Sequence, residues 1–177
     1  LAAEKAAQQV MVTIKAVSAA AEGAGMNVED AFEQAMASVA SVVSIEAEKI
    51  DVSSTASIAA AEATMATTKV DFSDSSVLDA VSTAVQTAVV AAAAADDTIV
   101  VDTTAFSAVL ETAVTAVSNV NAAIEAINDT DLTSTESMGT FATLTDMATE
   151  IKAAAEAEVI TPGAGAALVS FTDASAV

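Results

Sequence analysis

Three segments of this chain recur in the same order, and that internal duplication constrains the fold more than any single motif does. Val70-Asp71-Phe72-Ser73-Asp74-Ser75-Ser76-Val77-Leu78 returns as Val169-Ser170-Phe171-Thr172-Asp173-Ala174-Ser175-Ala176-Val177. Ile50-Asp51-Val52-Ser53-Ser54-Thr55-Ala56-Ser57 is matched by Thr130-Asp131-Leu132-Thr133-Ser134-Thr135-Glu136-Ser137. Ala31-Phe32 is matched by Ala105-Phe106, each pair opening an apolar helical pattern. The offsets are 99, 80 and 74 residues, so one gapped duplication accounts for all three. Duplications on this scale build stacked arrays, in which a unit buries its apolar face against a neighbour.

The units are helical. Apolar residues make up 54% of the chain but aromatics only 3%, so a core must form by close helix–helix approach through Ala, Val, Ile and Met. Alanine has the highest helix propensity, and the single proline is Pro162. Apolar spacing of three and four residues predicts six helices, over 2–22, 28–48, 54–68, 75–95, 103–127 and 134–158. The stripes are Val10, Ile14, Val17 and Ala21 in the first helix, and Phe32, Met36, Val39, Val43 and Ala47 in the second. Ile58 and Met65 anchor the third, and Leu78, Val81, Val85 and Ala88 or Val89 line the fourth. Phe106, Leu110, Ala113, Val117, Val120, Ile124 and Ile127 line the fifth, and Met138, Phe141, Leu144, Ala148 and Ile151 the sixth. Asn27 with Asp30 reads as an N-cap, Thr133 with Glu136 as a capping box, and Thr161-Pro162-Gly163 as a stop. Only 98–101 and 168–171 are β-prone.

This places each three-helix unit behind a Val-Asp-Phe-Ser-Asp-like opening. Residues 1–69 form a first unit without its opening, 70–168 a second unit, and 169–177 a further opening. The expected architecture is all-α, with tandem three-helix repeats packed as an up-and-down bundle or solenoid-like array joined by short extended connections. An opening with no helices behind it leaves Val169 and Phe171 exposed. Those two residues are therefore expected to dock on the next copy, with Phe171 taking the place that Phe72 has in a complete unit. The chain starts without Met and shows no secretory signal, as a processed or excised piece would.

Charge excludes several partner classes. Five lysines face 25 acidic residues, with no arginine or histidine, giving a net charge of −20. Nucleic acid binding needs a basic footprint, and none is present. Anionic membrane surfaces repel such a chain. The most apolar window, Val77–Ala95, is interrupted by Asp79, Ser82, Thr83, Gln86 and Thr87, so no membrane insertion is expected. With no cysteine there is no disulfide or thiolate site. With no histidine the commonest general base is missing, and the scattered lysines, serines and threonines have no partner base, so no enzyme is expected.

The acidic clusters admit two readings. Asp71 with Asp74, and Asp129 with Asp131, are carboxylates placed beside repeat boundaries that would take calcium, whose ligands are clustered oxygens. Neither segment has the glycine or the distal glutamate of an EF-hand loop, and the competing reading is that they cap helices while Phe72 and Phe171 plug the core. Asn128-Asp129-Thr130 also matches an N-glycosylation acceptor.

Ala/Val/Thr-rich helices punctuated by the Val-Asp-Phe-Ser-Asp motif resemble the repetitive regions of very large secreted bacterial surface proteins of the adhesin-like, calcium-repeat-containing kind. The glycine-aspartate nonapeptides of such proteins are not found here. The resemblance implies an extracellular or cell-surface structural role. The expected function is a self-associating structural repeat protein that forms a filament, surface layer or matrix by head-to-tail packing of its units. The alternative is a calcium-dependent adhesin segment or a helical ligand-binding module.

Overall fold

The computed structural model describes residues 2–48, 70–126, 135–165, 167 and 169–172. Five helices carry the described chain: α1 (Ala2–Gly23), α2 (Val28–Glu48), α3 (Ser75–Ala95), α4 (Thr103–Ala126) and α5 (Thr135–Ile160). A 3₁₀ turn, Ser170–Thr172, follows. The helix expected over 54–68, the capping box at Thr133 and the carboxylates Asp129 and Asp131 lie outside the described residues.

Local chemistry sets the helix ends. Asn27 accepts a hydrogen bond from the Asp30 N–H (3.0 Å) and its amide donates back to the Asp30 carboxylate, fixing the start of α2. Asp74 caps α3 through the Ser76 N–H (2.8 Å), and Asp102 caps α4 through the N–H groups of Thr104 and Ala105 (3.0 and 2.9 Å). At the end of α5 the Glu158 carboxylate accepts from the N–H groups of Gly163 (2.7 Å) and Gly165 (2.9 Å). These bonds hold the Glu158 carboxyl below its ordinary value. Gly163 has a positive φ of 89°, a conformation that glycine adopts without steric cost.

α1 sits at the centre, packed against α2, α4 and α5, while α3 packs against α2 and α4. The connection after α1 returns α2 antiparallel to it. α4 is also antiparallel to α1: the Asp102 N–H donates to Ala24 O (2.7 Å) at one end, and Lys5 Nζ donates to Glu125 O (2.6 Å) at the other. α5 runs parallel to α1, and Gly23 makes their close approach possible. A Cβ at Gly23 would clash with the Lys152 carbonyl oxygen and with the Ala155 Cβ.

One continuous core joins both halves of the duplication, from Val12 and Val17 through Val39 and Val42 to Leu78, Phe106, Ile124 and Ile151. Among the described helices α1, from the first half, packs against α4 and α5 from the second. Burial of a side chain such as Phe106 or Leu110 contributes about 1.5–3 kcal/mol each, the main force holding these helices together.

The apolar stripes of α3 and α4 are the ones their spacing predicts: Leu78, Val81, Val85 and Val89 are buried, as are Phe106, Leu110, Ala113, Val117, Val120 and Ile124, while Ile127 lies outside the described residues. α2 departs from its prediction. Its buried face is Ala31, Ala35, Ser38, Val39 and Val42, whereas Phe32 and Met36 are 41% and 47% exposed. The small Ala31 and Ala35 face the core because α1 and α3 approach α2 closely, and the larger side chains one position later turn outward. The β-prone stretches also take other forms: 99–102 is an irregular connection, and 170–172 is the 3₁₀ turn. α3 is the one helix among the described residues long and apolar enough to cross a membrane by length and composition, and it buries its valine stripe in the protein.

Candidate functional site

The two openings of the duplication converge on one helix. Phe72 is buried, and its carbonyl accepts a hydrogen bond from Asn121 Nδ2 (2.8 Å). Phe171 is buried as well, and its carbonyl accepts from Asn119 Nδ2 (2.9 Å). Asn119 and Asn121 stand two residues apart on α4 and so project on different flanks of it. Each flank holds one copy of the motif.

This corrects the expectation that Val169 and Phe171 are exposed. Both are buried within their own chain, where the 3₁₀ turn packs against α4 and α5. Glu150 of α5 secures the turn by accepting from the Ser170 N–H (2.7 Å) and from its hydroxyl. The path down from α5 is tight: a Cβ at Gly165 would meet the Ala154 carbonyl oxygen at 2.5 Å. The segment satisfies its apolar surface in cis, so an exposed plug for a neighbouring copy is not available there.

The carboxylates named for calcium have local partners. Asp71 Oδ1 accepts from the Ser73 N–H (2.8 Å) and hydroxyl (2.6 Å), and Asp74 Oδ1 accepts from the Ser76 N–H and hydroxyl (both 2.8 Å). The Ser76 hydroxyl and N–H hold the Asp74 carboxyl below its ordinary value. Among the described residues no group of three or more potential metal ligands is found.

A buried polar cluster, which spacing alone does not reveal, ties α1 to α4. Gln9 is fully buried, and its amide donates to Asn121 O (3.2 Å) and to Glu125 Oε2 (3.3 Å). Thr13 closes the cluster through its hydroxyl to Gln9 O (2.8 Å). Asn121 thus links α1 through its backbone and the Phe72 opening through its side chain. The only sequence signal for it is an amide placed between the buried positions Val120 and Ile124.

A shallow groove of about 350 Å³ opens beside α1 on the surface, between α2 and α5. Phe32 and Ala19 supply apolar surface, and Lys15 and Lys152 stand on its walls. Lys152 pairs with Glu22 at 3.3 Å. Lys15 is exposed and makes no ion pair among the described residues.

Comparison of the chain with protein-family models, with curated proteins and with solved structures finds no match.

Proposed function

We propose that this chain is an extracellular structural repeat protein whose helical units pack head to tail into a filament, surface layer or matrix. One observation carries the reading: the duplicated opening is used twice as a packing joint, its central phenylalanine buried and its carbonyl held by an asparagine of α4. The Phe72 opening is held by α4 of its own unit and the Phe171 opening by α4 of the unit before it. The second contact is the kind a stacked array needs, because a unit is then stabilised by its neighbour. The acidic, alanine-rich helical surface and the resemblance to secreted bacterial surface repeats support the same role.

Electron microscopy and size-exclusion chromatography of the purified chain test it. Concentration-dependent linear assemblies are the expected result. A chain that stays a discrete monomer at every concentration overturns the reading.

A further inference from the structure

We propose that the outer face of α2, with the adjoining lysines of α1 and α5, is an isologous contact for a second copy of this chain. The inference rests on the self-associating role just described and adds to its head-to-tail packing a second, two-fold contact. Val28, Phe32 and Met36 recur every four residues along an exposed helix, forming an apolar row about 12 Å long. Across the face three bands follow in order. Lys15 and Lys152 lie on the α1 side, where Phe32 forms the edge of the groove; Glu22 lies among them and pairs with Lys152, so Lys15 is the cation this band offers a partner. The apolar row is in the middle. Glu29 and Glu33, both exposed, lie one residue further round the helix, away from α1.

A two-fold axis through the middle band brings the acidic band of one copy over the lysine band of the other, twice. Self-complementarity of this kind is what an isologous contact requires. Charge makes the arrangement selective. Two copies at −20 repel wherever acid meets acid, so contact is favoured where lysines gather. Of the lysines described, Lys15 and Lys152 border this face, whereas Lys5 donates to the backbone of Glu125 at the far end of α1.

The duplication supplies the second argument. At the offset of 74, Phe32, Met36 and Val43 correspond to Phe106, Leu110 and Val117. On α4 all three are buried, and on α2 the first two are exposed and the third half-buried. A face that one copy of the duplication buries is left exposed in the other among the described residues.

Sedimentation equilibrium of the full chain tests the proposal. An ionic strength of about 0.15 M suits it, because a Debye length of about 8 Å screens the whole-molecule repulsion more than the contact pairs. The wild type is expected to dimerise with rising concentration. Phe32→Ala weakens the dimer roughly tenfold while leaving the Tm of dilute protein unchanged. Lys15→Glu and Glu33→Lys each weaken it, and the two together restore it. A wild type that is monomeric at roughly millimolar concentration, a dimer indifferent to Phe32→Ala, or charge reversals that fail to compensate overturn the proposal. Filaments that ignore these substitutions leave the array reading standing and remove this face. A face-dependent dimer without higher assembly does the converse.

Discussion

α2 and α4 open with the same Ala-Phe pair, yet Phe106 is fully buried and Phe32 faces solvent. Four corresponding positions have one fate in both helices: Ala31, Ala35, Val39 and Val42 are buried, and so are Ala105, Val109, Ala113 and Ala116. The helices differ on the neighbouring stripe. α4 is enclosed by α1, α3, α5 and the 3₁₀ turn, whereas among the described residues α2 packs against α1 and α3. A helical stripe thus specifies what is able to be buried, and the neighbours decide whether it is.

Truncating each phenylalanine in turn should separate the two helices most strongly. Phe106→Ala should cost about 3–5 kcal/mol, since it empties a fully buried site. Phe32→Ala in dilute protein should change stability by no more than about 0.5 kcal/mol. Equal losses in chemical denaturation would mean that Phe32 is a core residue.

The comparison extends to the two openings. Asn121→Ala leaves the Phe72 carbonyl without its bond at a fully buried site and should cost about 1–3 kcal/mol. Asn119→Ala removes the corresponding bond to Phe171 at a partly buried site and should cost about 1 kcal/mol. Thermal unfolding of both variants checks the order, and a larger loss at Asn119 would reverse the assigned importance of the two joints.

Glu158 gives a smaller, pH-dependent effect. Its carboxyl is held below the ordinary value of 4.5 by the N–H groups of Gly163 and Gly165. A depressed carboxylate contributes its stability in full above its unfolded value and loses it as pH falls through the folded value. The stability gap between wild type and Glu158→Gln should therefore be widest above the ordinary value of 4.5 and close as pH falls through the lower folded value. A gap that widens on acidification would contradict the bonding seen at the end of α5. The smallest expected effect is that of calcium. With Asp71 and Asp74 each engaged by a following serine, millimolar calcium should leave the Tm unmoved, and a clear rise would show that these carboxylates bind the ion.

Much of this fold is legible in the chain. The all-α class and the boundaries of the described helices follow from alanine content, three-to-four spacing and capping residues such as Asn27 and Asp74. The face of α2 does not follow, because Phe32 and Ala31 both fit a helical stripe and only the closeness of α1 and α3 selects alanine. The burial of Val169 and Phe171 was hidden for a related reason: the groove that receives them lies between α4 and α5, and the Gly165 bend that directs them there is a tertiary fit. The sharing of one core by both halves is equally invisible to a duplication, which shows descent of segments rather than their partners. The α1–α4 polar link at Gln9 and Asn121 leaves only the trace of an amide in an apolar stripe.

Hydroxyl-radical footprinting across a concentration series follows Phe32, Met36 and Phe106 together in one sample. Phe106 should stay protected throughout, while Phe32 and Met36 react readily in dilute protein and become protected as copies associate. Protection of Phe32 in dilute protein, or its full reactivity in the most concentrated sample, would contradict the account.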